Sequence, residues 1–157
     1  MRRIIIHHTG GTYKANNVDK KAYHYIIEGD GTIVKGDYLV HDNEDCTDGK
    51  YAAHTYKGNT GSIGIAVACN YGYTISNPRA CKFPLTFKQY QTLIKFTKRL
   101  MKQYGIGLGD VWTHYEFDRI RHISQGKSDI TFLPHLSSLK PYEILNQIKL
   151  DIKFCKD

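Results

Sequence analysis

The 157-residue chain has only four cysteines, Cys46, Cys69, Cys81 and Cys155, and no two of them form a Cys-x-x-Cys pair. That absence argues against a zinc knuckle built from thiolates, and a chain of this length can bury a core without disulfide staples. Cys69 and Cys81 could still pair across a loop, which their spacing leaves open. No apolar run approaches the roughly 18 residues of a membrane-spanning helix. The start, "MRRIII", has too short an apolar stretch for a signal peptide. The expectation is a protein made in the cytoplasm, released by another agent if it works elsewhere. Internal repeats, low-complexity segments and linker-like stretches are missing too, so one domain over residues 1–157 is expected. A compact Lys/Arg block is also absent. Lys and Arg number 22 against 15 acids, a formal charge of +7, yet they are scattered, with a mild cluster at "KFTKRLMKQ". Such a charge suits a polyanionic partner or serves solubility alone. No nucleic-acid reader motif accompanies it, so nucleic acid is not the expected partner.

What is present alternates between strand and helix patterns. "RRIII" reads as a first strand, and "AYHYIIEGDGTIVKGD" as a hairpin about a Gly-Asp-Gly turn. "LVHDNEDCTDGKYAAHTYKGNTG" is polar and turn-rich, and reads as a long surface loop. "SIGIAVACN" is a near-continuous apolar run, as in a central strand covered on both faces. "TFKQYQTLIKFTKRLMKQYG" carries the clearest helix: Thr86 and Gln89 have the form of a capping box, and Gly105 suits the stop. "DVWTHYE" reads as a short strand ending at His114, "RIRHISQGKSD" as a basic loop, and Pro141 opens a final helix. The expected fold is an α/β domain with a central mixed sheet flanked by helices.

Eight histidines are many for this length. His7 and His8 are adjacent on a strand, point to opposite faces, and so cannot easily share one ion. His7 and His114 each end an apolar strand, and zinc needs ligands converging from a rigid scaffold. A catalytic zinc takes about three protein ligands and keeps one position open. Asp129 in "GKSD" is a candidate third ligand, with Lys127 on the same side of an extended loop, where an ammonium would suit an oxyanion-forming hydrolysis. His122 and His135 lie close enough in sequence to be rival ligands. His8 and His24 suit structural roles, and His41 sits in a polar loop. Tyr56, Tyr71 and Tyr73 fall in loop-like stretches and are candidates for aromatic contact with a ligand.

The collinear set "IIIHHTGG", "YHYIIEGDGTIVKGD", "AAHTYKGNTGSIGIAV", "THYE" and "KSD" resembles the zinc-dependent N-acetylmuramoyl-L-alanine amidases. That group includes phage amidase endolysins and is related to peptidoglycan recognition proteins. The resemblance spans about Ile4 to Pro134 and implies a zinc site on the floor of an open groove. It implies His7, His114 and Asp129 as zinc ligands, Lys127 beside the scissile carbonyl, Tyr23 beside the attacking water, and His54 lining the groove for substrate. Ala66 stands where many bacterial members carry a glutamate, which would leave proton handling to Tyr23 and Lys127. The interval from His114 to Lys127 is longer than usual, and "ITFLP" follows Asp129 where the family has Pro-Gly. The implied activity is hydrolysis of the amide between N-acetylmuramic acid and L-alanine, by a monomer acting on peptidoglycan or muropeptides. A phage or prophage endolysin fits; a cytoplasmic recycling amidase and a non-catalytic peptidoglycan-binding module are the alternatives.

Overall fold

Ile4, Ile5 and Ile6 form the middle of strand β1 (Arg3–His8), and all three side chains are fully buried. A strand buries consecutive residues only when both faces of its sheet are covered. The computed structural model, which describes residues 1–157, has that arrangement. β1 runs parallel to β4 (Ser62–Val67) on one side and to β5 (Val111–Thr113) on the other. β4 is parallel to β2 (Tyr25–Ile27), which pairs antiparallel with β3 (Ile33–Lys35). The order β3-β2-β4-β1-β5 makes one mixed sheet. The apolar run "SIGIAV" is its central strand β4, buried at all six positions.

Four α-helices accompany the sheet: α1 (Asn17–Ala22), α2 (Phe87–Tyr104), α3 (His114–Ile120) and α4 (Ile144–Phe154). α2 starts and stops where its sequence directs. Thr86 and Gln89 cap it reciprocally, and Gly105 ends it at φ 65°, a left-handed conformation that glycine adopts without a Cβ penalty. α4 follows a single 3-10 turn begun by Pro141.

Two helices depart from the sequence expectation. α1 occupies the stretch before the hairpin, where no element is expected from the sequence, capped by Asn16 and Asp19 in a capping box. α3 begins at His114, so this residue opens a helix as well as following a strand. Thr113 accepts a hydrogen bond from the Glu116 backbone N–H, the Thr-x-x-Glu signature of a helix start. The polar segment before β4 is also less superficial than its composition implies. Asn43 is fully buried and bonds Ala52 through both its N–H and C=O, and Ala52, His54 and Thr55 are buried with it.

The pleat separates two environments. Ile4, Ile6, Ile63, Ile65 and Val67 share one cluster with Leu93, Phe96 and Leu100 of α2 and Ile148 and Ile152 of α4. The alternate residues of the same strands, Ile5 and His7 of β1 with Gly64 and Ala66 of β4, therefore face the other side of the sheet.

Candidate metal centre

His7 is the last residue but one of β1, held on that second face and 1% exposed. His114 follows β5 as the first residue of α3, and Asp129 lies in the loop beyond α3; they are 3% and 5% exposed. The Asp129 backbone carbonyl accepts from the Tyr115 N–H at 2.8 Å, which ties the loop to the start of α3. Three donor atoms then converge. His7 Nδ1 lies 3.1 Å from His114 Nδ1 and 3.1 Å from Asp129 Oδ2, and His114 Nδ1 lies 3.4 Å from Asp129 Oδ2. In a tetrahedral zinc site with Zn–N near 2.0–2.1 Å, neighbouring ligand atoms are about 3.3 Å apart. The three separations match that edge, and two imidazoles with a carboxylate are a donor set zinc accepts.

The electrostatics suit a cation as well. Burial pushes the His7 imidazole down to about 4, against the pull of Asp129, so the ring is neutral near pH 7 with a lone pair to offer. Burial alone would raise the Asp129 carboxyl. Hydrogen bonds from the His114 and His7 rings outweigh it and hold the group well below the usual carboxylate range.

Each imidazole also has a partner for its far nitrogen. His7 Nε2 lies 3.1 Å from His54 Nδ1, and His114 Nε2 lies 3.3 Å from Asp118 Oδ2. The second contact is off the line of a good hydrogen bond, and neither of its atoms has another partner. Asp118 is 4% exposed and accepts from Arg121 Nη2 at 2.6 Å through its other oxygen. Arg121 donates onward to the carbonyls of Tyr56 and Lys57, which joins α3 to the segment carrying His54. His54 can lie over β4 because residue 64 is glycine: a Cβ there would sit 2.6 Å from the imidazole ring.

The remaining sequence candidates fall around this cluster. Tyr23 places its ring centroid 5.1 Å from that of His7, and burial pushes its phenol pKa up, so the hydroxyl keeps its proton. Lys127 is exposed and in no ion pair; its charge reaches the His8 ring. His54 is 7% exposed and packed beneath His7, rather than on the wall of a groove. Ala66 pairs in register with His7 and is fully buried, so no carboxylate rises from β4 beside the cluster. His8 accepts from Asn70 Nδ2 at 3.0 Å. His24 is buried and bonded through both ring nitrogens, to Asn43 and to the Gly64 N–H. His122 and His135 are both exposed and outside the cluster, His135 against Phe87 and Tyr90 of α2. Asp118 and Arg121 escaped sequence reasoning; the i,i+4 spacing of His114 and Asp118 becomes informative only once residues 114–120 are read as helix.

The N-acetylmuramoyl-L-alanine amidase family model (Amidase_2) matches residues 1–131. The chain belongs to this family. Among solved structures the amidase is similar to N-acetylmuramoyl-L-alanine amidase LysC from Clostridium intestinale URNW, with 21% identity, a TM-score of 0.54, and coverage of 93% of this chain and 83% of that one. The Ph2119 endolysin from Thermus scotoductus MAT2119 bacteriophage Ph2119 is 16% identical at a TM-score of 0.54, covering 94% and 84%. AmiD from E. coli, an N-acetylmuramyl-L-alanine amidase in complex with a muropeptide substrate, is 20% identical at 0.52, covering 73% and 48%. At these identities the likeness is one of fold. No curated protein matches the amidase.

Proposed function

We propose that the chain hydrolyses the amide between the lactyl group of N-acetylmuramic acid and L-alanine, using one zinc ion held by His7 Nδ1, His114 Nδ1 and Asp129 Oδ2. The observation that carries this reading is the convergence of three buried donors at 3.1, 3.1 and 3.4 Å in a chain of this family. Zinc at such a site supplies Lewis-acid polarisation and brings the pKa of water down toward about 7. The chain's own residues do the rest. Lys127, two residues before Asp129 and free of any acidic partner, stabilises the negative charge that develops on the carbonyl oxygen. The Tyr23 phenol, kept protonated by burial, orients the attacking water by donating to or accepting from it. His54 Nδ1 sits within hydrogen-bond distance of His7 Nε2, and the Asp118 carboxylate lies 3.3 Å from His114 Nε2, which leaves each Nδ1 to face the metal.

Residues 1–157 act as a single amidase domain and as a monomer in this reading, on peptidoglycan or a soluble muropeptide. The role is that of a phage or prophage endolysin reaching the wall after release. The similarity to the LysC amidase and the Ph2119 endolysin supports it, and no helix is long and apolar enough to cross a membrane. AmiD bears on the bond: its substrate is anhydro-N-acetylmuramic acid-L-Ala-D-γ-Glu-L-Lys. Digestion of purified peptidoglycan is the test. New amino groups on L-alanine with glycan strands left uncut are expected; new reducing sugar ends without L-alanine amines would overturn the reaction class.

A further inference from the structure

The basic cluster in "KFTKRLMKQ" lies on α2, on the side of the sheet away from His7. α2 carries five cations, Lys88, Lys95, Lys98, Arg99 and Lys102, and no acidic residue in 18 positions. The whole chain has a surplus of seven positive charges, so most of it sits on this one helix. At 3.6 residues per turn the five side chains fall within a sector of about 100°, opposite the buried stripe, and extend along about 21 Å of axis. Like charges three and four residues apart destabilise a helix, and a surface serving solubility alone intersperses both signs. Four of the five, with Lys156, line a groove of about 530 Å³. Its one acidic side chain, Asp157, is taken up by Lys98 at 3.5 Å.

We propose that this groove binds a linear phosphodiester polymer of the cell envelope, tethering the enzyme while the opposite face of the sheet meets the glycan. The choice of polymer rests on the reading of the chain as a wall amidase; the binding does not. A row of cations along a helix matches charge repeated along a chain. The groove offers no aromatic residue for base stacking and a single apolar residue, Cys155, where a bilayer would need an apolar face. The exposed Leu150 and Phe154 of α4 lie outside it.

The test uses the full chain with synthetic poly(glycerol phosphate), measured by calorimetry across a series of salt concentrations. Lys95→Gln/Arg99→Gln/Lys102→Gln should bind at least tenfold more weakly at 0.1 M salt. The slope of log K against log salt should fall by about 2, at roughly 0.7 for each lost contact with a flexible polyanion. A control with equal charge loss elsewhere, Lys21→Gln/Lys35→Gln/Lys50→Gln, should bind within threefold of the parent. Both triple variants should release L-alanine amines from a soluble muropeptide at the parent rate, which shows that they fold. Equal weakening in the two variants would reduce the effect to net charge and overturn the proposal. So would a parent protein that ignores the polymer, or that prefers phosphatidylglycerol vesicles or a DNA duplex to it. A parent that binds the polymer but releases no amines would remove the amidase reading and leave the groove standing.

Discussion

At the scale of single residues, the candidate ligands and the groups around them differ in what a substitution should do. Lys127 is exposed and is not one of the three converging donors, so Lys127→Ala should keep the metal and slow turnover about 10²–10³-fold, the usual loss for one oxyanion stabiliser. Asp118 meets the cluster at His114, so Asp118→Asn should weaken zinc affinity about 10–100-fold. Competition against a chromophoric chelator measures the affinity, and nitrogen NMR of the metal-free protein reports whether His114 still carries its proton on Nε2. An unchanged affinity and tautomer in Asp118→Asn would reduce this carboxylate to a partner of Arg121. His7, His114 and Asp129 do converge: two strand-end histidines point to the first two, whereas Lys-x-Asp is commonplace and the family resemblance is what singled out Asp129. Asp118 was not legible, because its relation to His114 depends on a helix opening where the sequence reads only the end of a strand. His54 was visible as a residue but not in its setting, since its burial depends on the missing Cβ of Gly64 across the sheet.

At the scale of elements, the long periodic patterns declared themselves and the short ones did not. α2 has 18 residues, a full apolar stripe and both caps, so local signals agree with the tertiary packing. α1 and α3 have six and seven residues, too few to show a period, and only their caps mark them. α3 matters most, because its first residue is a metal-ligand candidate. Thr113→Ala removes the hydrogen bond to Glu116 N–H and should cost about 1 kcal/mol of stability, the usual value of an N-cap. Since the cap fixes where His114 leaves the strand, zinc affinity should fall in the same variant. Denaturant titration and chelator competition give the two numbers. A stability loss with unchanged affinity would show that α3 keeps His114 in place without its cap.

At the scale of the whole molecule, the sheet divides labour between a face of buried histidines and a packed apolar face backed by α2 and α4. The histidine-rich face makes the fold sensitive to acid. His24 accepts from the Gly64 N–H and donates to Asn43, which only a neutral ring can do, and burial lowers its pKa from 6.5 to about 4. Between those values the unfolded chain binds the proton and the folded chain does not, so stability is complete above about pH 6.5 and falls as pH drops toward 4. The loss from this one group is of the order of 2–3 kcal/mol by pH 4. Denaturant titrations of the metal-free protein at pH 7 and pH 4.5 should differ accordingly; equal midpoints would show that His24 is not held neutral. A core of this size does not depend on metal as a zinc finger does, so chelation should leave most of the fold intact. The most direct test of the account is therefore to strip the protein with a chelator and add zinc back in fractions of an equivalent, recording release of L-alanine amines from a muropeptide. Activity should rise from zero and break at one zinc per chain in the parent, and stay at zero in His7→Ala. Full activity in the stripped protein, or equal recovery in His7→Ala, would contradict the account.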